Sequence, residues 1–152
     1  MSTTSELPPD AIREVRDSCL CLTSQRAARR LARRFDRAFR PVGLTNGQFS
    51  ALMFLAGTGG ASPARLADLL AMDRTTVTAL LKALMRRGLV TVEAGAEDRR
   101  TRRAAVTPAG RAVLVEALPI WRAEHAALEA SLPSPADGRK LLGALALAPL
   151  PA

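Results

Sequence analysis

The chain of 152 residues has 22 Lys and Arg against 14 Asp and Glu, a formal net charge of +8, with 48% hydrophobic and 3% aromatic residues. That length suits one domain or two small lobes sharing a core, and the apolar content excludes a disordered chain. No apolar run approaches the ~20 uninterrupted residues a bilayer requires, and the Met-Ser-Thr-Thr-Ser-Glu start lacks the basic and apolar regions of a secretory signal, so no membrane association is expected and the cytoplasm is the expected compartment.

Residues 1–9 read as a disordered arm rich in Ser, Thr and Pro. From Asp10 to Arg40 no Gly or Pro interrupts a helix-forming run. Ile12, Val15, Cys19, Leu22, Ala27, Leu31, Phe35 and Phe39 recur at spacings of three and four, one stripe of a single long helix. A helix of that length is poorly stable alone and is expected to pack against a partner chain; Pro41 and Gly43 end it. Thr45 and Gln48 form a capping-box signature for a second helix carrying Phe49, Leu52, Met53 and Leu55, which Gly57-Thr58-Gly59-Gly60 breaks.

Ser62 and Pro63 open a short third helix over residues 63–72, and Asp73 caps a fourth over residues 74–87, stopped at Gly88. The period then changes. Residues 89–106 predict a two-stranded hairpin with a polar, arginine-rich tip. Thr107 and Pro108 open a fifth helix toward Ser131, expected to kink at Pro119, and Ser134 and Pro135 open a sixth that ends before Pro149. The order predicts a mainly α (α+β) fold: a winged helix-turn-helix module over residues 44–106, with residues 10–43 and 107–148 as helical flanks forming a dimerisation region.

A basic balance of this size is a footprint of nucleic-acid binding, although 20 of the 22 basic residues are Arg, which a GC-rich genome also produces. Where the charge sits decides between them. Leu66, Leu69 and Leu70 are the expected apolar face of the bracing helix, and Val77, Leu80, Leu81 and Leu84 that of the following one. The opposite face of that helix then offers Arg74, Thr75, Thr76, Thr78, Ala79 and Lys82 to the major groove, with the positive end of the helix dipole drawing phosphate. An ordinary amphipathic helix with a solvated polar face would look similar. The hairpin adds a second signal, because Arg99, Arg100, Arg102 and Arg103 crowd its tip beside Asp98. Arginines on a wing can enter the minor groove, while Asp98 suits pairing with a nearby guanidinium to aim it.

Three stretches then resemble the MarR-type transcriptional regulators: LTNGQFSALMFLA (Leu44–Ala56), LADLLAMDRTTVTALLKALMRRGLV (Leu66–Val90) and EDRRTRRAAVTPAG (Glu97–Gly110). They are similar to the family's second helix, its bracing and recognition helices, and its Asp-x-Arg wing followed by Thr-x-x-Gly. The likeness spans most of residues 12–130, departing at Val106, where the family commonly has Leu. The resemblance implies a homodimer, with interlocked terminal helices, on a palindromic double-stranded DNA operator. It also implies repression of a neighbouring gene and release by a small aromatic or anionic effector. Asp98 and Arg100 take the wing roles under that resemblance, and residues 74–82 become the recognition surface.

Other residues carry less. Cys19 and Cys21, two positions apart on one helix, would point about 200° from each other, unable to bridge or to chelate together. Cys19 reads as a small buried residue, with an oxidant-sensing role for Cys19 or Cys21 as the rival. His125 stands alone, so no metal site is expected, and with Trp121 it is expected at an interface of the fifth helix. Arg26 and Gln48 are candidates to line an effector cavity. No catalytic set or phosphate loop is present, so neither an enzyme nor a cofactor is expected. The remaining alternative is a basic architectural protein binding nucleic acid without operator specificity. Arg100→Ala is expected to weaken operator binding at least tenfold without unfolding the chain, and wild-type affinity should fall steeply with salt in the same titration.

Overall fold

The computed structural model describes residues 7–94 and 102–147. Helix α1 (Pro9–Ser18) begins at Pro9, one residue before the expected start, because a proline at the first helical position forfeits only an amide that has no intrahelical partner. The expected single helix is two. The backbone leaves the helix at Cys19 (φ −71°, ψ 106°) and re-enters it as α2 (Leu20–Ala38). Two local bonds favour the break. The Ser18 hydroxyl donates back to the Glu14 carbonyl, a bond that competes with the helical ladder, and Cys19 Sγ accepts from the Leu22 amide at 3.4 Å as a cap for α2. The Cys19–Cys21 directions expected within a continuous helix therefore do not apply.

The apolar stripe of α2 ends in Phe35 and Phe39, both buried. Phe39 stacks on Phe49 with ring centroids 4.6 Å apart, docking α2 against α3 (Asn46–Thr58). Between them lies a turn of 3-10 helix (Arg40–Val42), closed by Gly43 at φ +66°. The capping box of α3 is complete: Thr45 Oγ1 accepts from the Gln48 amide, and Gln48 Oε1 accepts from the Thr45 amide. Helix α3 is the central pillar. It buries Phe49, Ala51, Leu52 and Leu55 and touches α2, both helices of the helix-turn-helix, the wing and α6.

Helix α4 (Pro63–Leu70) is shorter than expected, since Ala71 takes a left-handed conformation (φ 50°) that ends it. Its inward face is Leu66, Ala67 and the half-buried Leu70, so of the expected leucine triplet only Leu69 turns outward. Leu69 is 55% exposed because it lies about 100° around the helix from the centre of that buried face. Helix α5 (Arg74–Arg86) buries Val77, Leu81 and Leu84. Strands β1 (Val90–Ala94) and β2 (Arg102–Val106) pair antiparallel from Val90 opposite Val106 to Ala94 opposite Arg102. One further bridge, Ala61 to Ala104, ties β2 to the α3–α4 turn through N–H···O bonds of 2.9 and 2.8 Å.

Helix α6 (Pro108–Ala130) is capped by Thr107 and runs helical through Pro119, without an interruption there. Gly110 is required near its start, because a Cβ there would strike the Leu89 carbonyl and lie 2.7 Å from Val106 Cγ1. Helix α7 (Pro135–Leu147) buries nothing, and neither does α1.

Asp73 caps α5. Its Oδ1 accepts from the Thr76 amide at 2.8 Å and its Oδ2 from the Thr76 hydroxyl at 2.5 Å. The Thr76 hydroxyl, followed by its amide, holds the Asp73 carboxyl below the ordinary carboxylate value. A depressed value means the cap is fully present above the pKa of the unfolded carboxyl and is lost as pH falls through the lower native value. Asp73→Ala is expected to lower the melting temperature by about 2–4 °C at neutral pH, with the gap closing below about pH 4 when melting is followed by circular dichroism.

Candidate nucleic-acid interface

With Val77, Leu81 and Leu84 turned into the core, the geometry of α5 leaves Arg74, Thr75, Thr76, Thr78, Ala79 and Lys82 exposed on its outer face. Arg74, Thr75, Thr78, Ala79 and Lys82 line one concavity of about 330 Å³. Thr76 does not line it, and its hydroxyl is engaged with Asp73. The Thr78 hydroxyl donates to the Arg74 carbonyl at 2.7 Å, leaving its oxygen lone pairs as acceptors. Two cations therefore flank small side chains, a surface able to receive phosphates at its edges and a base edge at its centre.

The wing contributes Arg102 and Arg103 from β2, both exposed. Arg103 is engaged within the fold: its Nη2 donates to the Gly59 carbonyl at 3.1 Å. Asp98, Arg99 and Arg100 lie outside the described residues. Behind the helix-turn-helix, Arg87 holds α5 to the 3-10 turn, with Nη1 donating to the Gly43 carbonyl at 2.5 Å. Sequence reasoning missed this contact, which spans 44 positions and has no local signature.

Arg26 is exposed on α2, whereas Gln48 is half-buried on α3 with its oxygen committed to the capping box. Neither lines the larger concavity of about 450 Å³, which is framed by Arg34, Arg37, Ala38 and Glu124. Arg34 Nε donates there to Glu124 Oε1, an ion pair joining α2 to α6 that sequence reasoning also missed. Trp121 packs against the core, and the half-buried His125 lies with its ring centroid 4.7 Å from that of Trp121. Cys19 is half-buried and Cys21 exposed, both as free thiols. Among the described residues no three His, Cys, Asp or Glu side chains converge as a metal site, and no helix is long and apolar enough to cross a membrane.

Comparison with known proteins agrees with this geometry. The MarR family model matches residues 42–101, from the 3-10 turn to the wing. No curated protein matches the sequence. Among solved structures, the M. tuberculosis transcriptional regulator MosR in complex with DNA is 41% identical with a TM-score of 0.77, the match covering 85% of this chain and 94% of that one. The transcriptional repressor CouR bound to a 23-mer DNA duplex is 31% identical, covering 93% and 97% at a TM-score of 0.73. Bordetella bronchiseptica BpsR, from a structure on regulation of its DNA binding by 6-hydroxynicotinic acid, is 26% identical, covering 84% and 91% at a TM-score of 0.72. With a mainly helical fold, a two-stranded wing and these relatives along most of its length, the chain belongs to the MarR family of DNA-binding, non-enzymatic winged helix-turn-helix transcriptional regulators.

Proposed function

We propose that the chain works in the cytoplasm as a homodimeric repressor on a palindromic operator, and that a small aromatic or anionic ligand releases it. The observation that carries this reading is the pairing of an exposed Arg74–Lys82 face on α5 with an arginine-bearing hairpin beside it. In the proposal, Arg74, Thr75, Thr76, Thr78 and Lys82 meet the major groove, Arg99, Arg100 and Arg102 act at the minor groove, and Asp98 pairs with a neighbouring guanidinium to aim it. Residues 44–106 form the DNA-binding module. Residues 10–43 and 107–148 form the dimerisation region. Support for the dimer comes from helices that bury nothing within one chain yet expose Ile12 and Val15 on α1 and Leu141, Leu142 and Leu145 on α7. A two-fold assembly would place its recognition helices about one DNA turn, roughly 34 Å, apart.

CouR, named a repressor, supports the sign of regulation, and BpsR supports an aromatic acid as the class of effector. Arg26, exposed on α2, is the proposed cation for such a ligand, and Gln48 is a separate candidate contact whose amide hydrogens are left over from the capping box. A duplex from the protein's own promoter should outcompete random duplex by about 10³ in a fluorescence-anisotropy assay, and the double variant Leu141→Glu/Leu145→Glu should sediment as a monomer and lose at least tenfold in affinity. Equal affinity for both duplexes would instead favour a non-specific architectural protein.

A second reading, oxidant control, is favoured by one observation: Cys19 Sγ is the N-cap acceptor of α2 at the joint with α1, so oxidising it would change the size and charge of the group that caps that joint. Hydroperoxide treatment is then expected to weaken operator binding several-fold in the wild type and to leave Cys19→Ser/Cys21→Ser unaffected; an unchanged wild-type affinity removes this reading.

A further inference from the structure

The base of the wing is fastened to the α3–α4 turn at three points. Two are the reciprocal Ala61–Ala104 backbone bonds of 2.9 and 2.8 Å. The third is Arg103, whose guanidinium donates to the Gly59 carbonyl at 3.1 Å although Glu93 stands opposite it in the hairpin register. Gly59 is the left-handed residue that closes α3, so its carbonyl lies at the negative end of that helix, where a cation is favoured. The fit is close. At Gly60 (φ +116°), a Cβ would lie 2.8 Å from the Ala104 oxygen and 2.9 Å from Arg103 Nε. Side chains alternate along a strand, so Arg102 points to the other side of the hairpin and does not share this seat.

We propose that Arg103 is a positioning residue for the wing: it straps β2 to the C-terminal end of α3 and makes no contact with DNA. The inference rests on the reading of the wing as part of the DNA-binding surface. It changes what a mutation at this position means, because a strut and a phosphate contact leave different thermodynamic marks. Each phosphate neutralised by a side chain contributes about 0.9 to the slope of log K against log salt, whereas a strut alters affinity without altering that slope.

The test uses the full chain, a duplex selected by the wild-type protein from a random pool, and binding titrations between about 50 and 200 mM salt. Arg103→Met keeps the aliphatic stem and removes the donors and the charge. It is expected to weaken binding about tenfold with an unchanged slope, and hydrogen exchange at the Ala61 and Ala104 amides should quicken. The paired variant Arg102→Met should reduce the slope by about 0.9 if that side chain meets a phosphate. A loss of about one from the slope in Arg103→Met overturns the proposal, as does wild-type affinity or unchanged protection of the two amides. If only Arg102→Met leaves the slope unaltered, the strap stands and the DNA role of Arg102 falls. If the wild type itself shows no salt dependence, the DNA reading of the wing fails, and amide exchange still decides whether Arg103 holds β2.

Discussion

The burial of one side of α3 is the constraint on which the molecule depends. Phe49 of that helix receives the ring of Phe39 from α2, while Leu52 and Leu55 sit fully inside among α4, α5, α6 and the wing. An interior packed this closely loses several kcal/mol when a large side chain is truncated, so the relative placement of the surrounding helices is tightly determined. Because α3 touches α2, α6 and the base of the hairpin, the position of the proposed DNA-binding surface is set from the same pillar that anchors those two flanking helices.

The charges divide according to that frame. Arg87 and Arg103 turn their guanidinium groups to backbone carbonyls and Arg34 to a carboxylate, while Arg74 and Lys82 border the concavity on α5. A net charge of +8 therefore overstates the cationic surface available to phosphates. Guanidinium groups suit the inward tasks because a planar fork of donors can satisfy two acceptors at once, as Arg87 does with the Gly43 and Val42 carbonyls.

Much of the architecture was legible from bonds closed within three residues. Thr45 with Gln48, Ser62 with Arg65, Asp73 with Thr76 and Thr107 with Gly110 are all side-chain caps, and the starts of α3, α4, α5 and α6 followed from them. The outward face of α5 was legible too, since the 3.6-residue period assigns Val77, Leu81 and Leu84 to the interior. Less visible were features decided by tertiary context. The break at Cys19 interrupts a run with no glycine or proline, and the outward turn of Leu69 is set by which side of α4 packs on the core. The Arg34–Glu124 pair spans 90 positions, a separation at which residue order alone identifies no partner.

The joint at Cys19 has an entropic consequence. A ten-residue helix that buries nothing and meets the rest of the chain through one extended residue owes little of its order to its own fold. Isolated helices of that length are marginal in water, so any surface that covers α1 must also select its orientation from a spread of alternatives. Assembly through this limb would then couple association to folding, with the heat-capacity signature of apolar burial and an affinity that depends steeply on temperature.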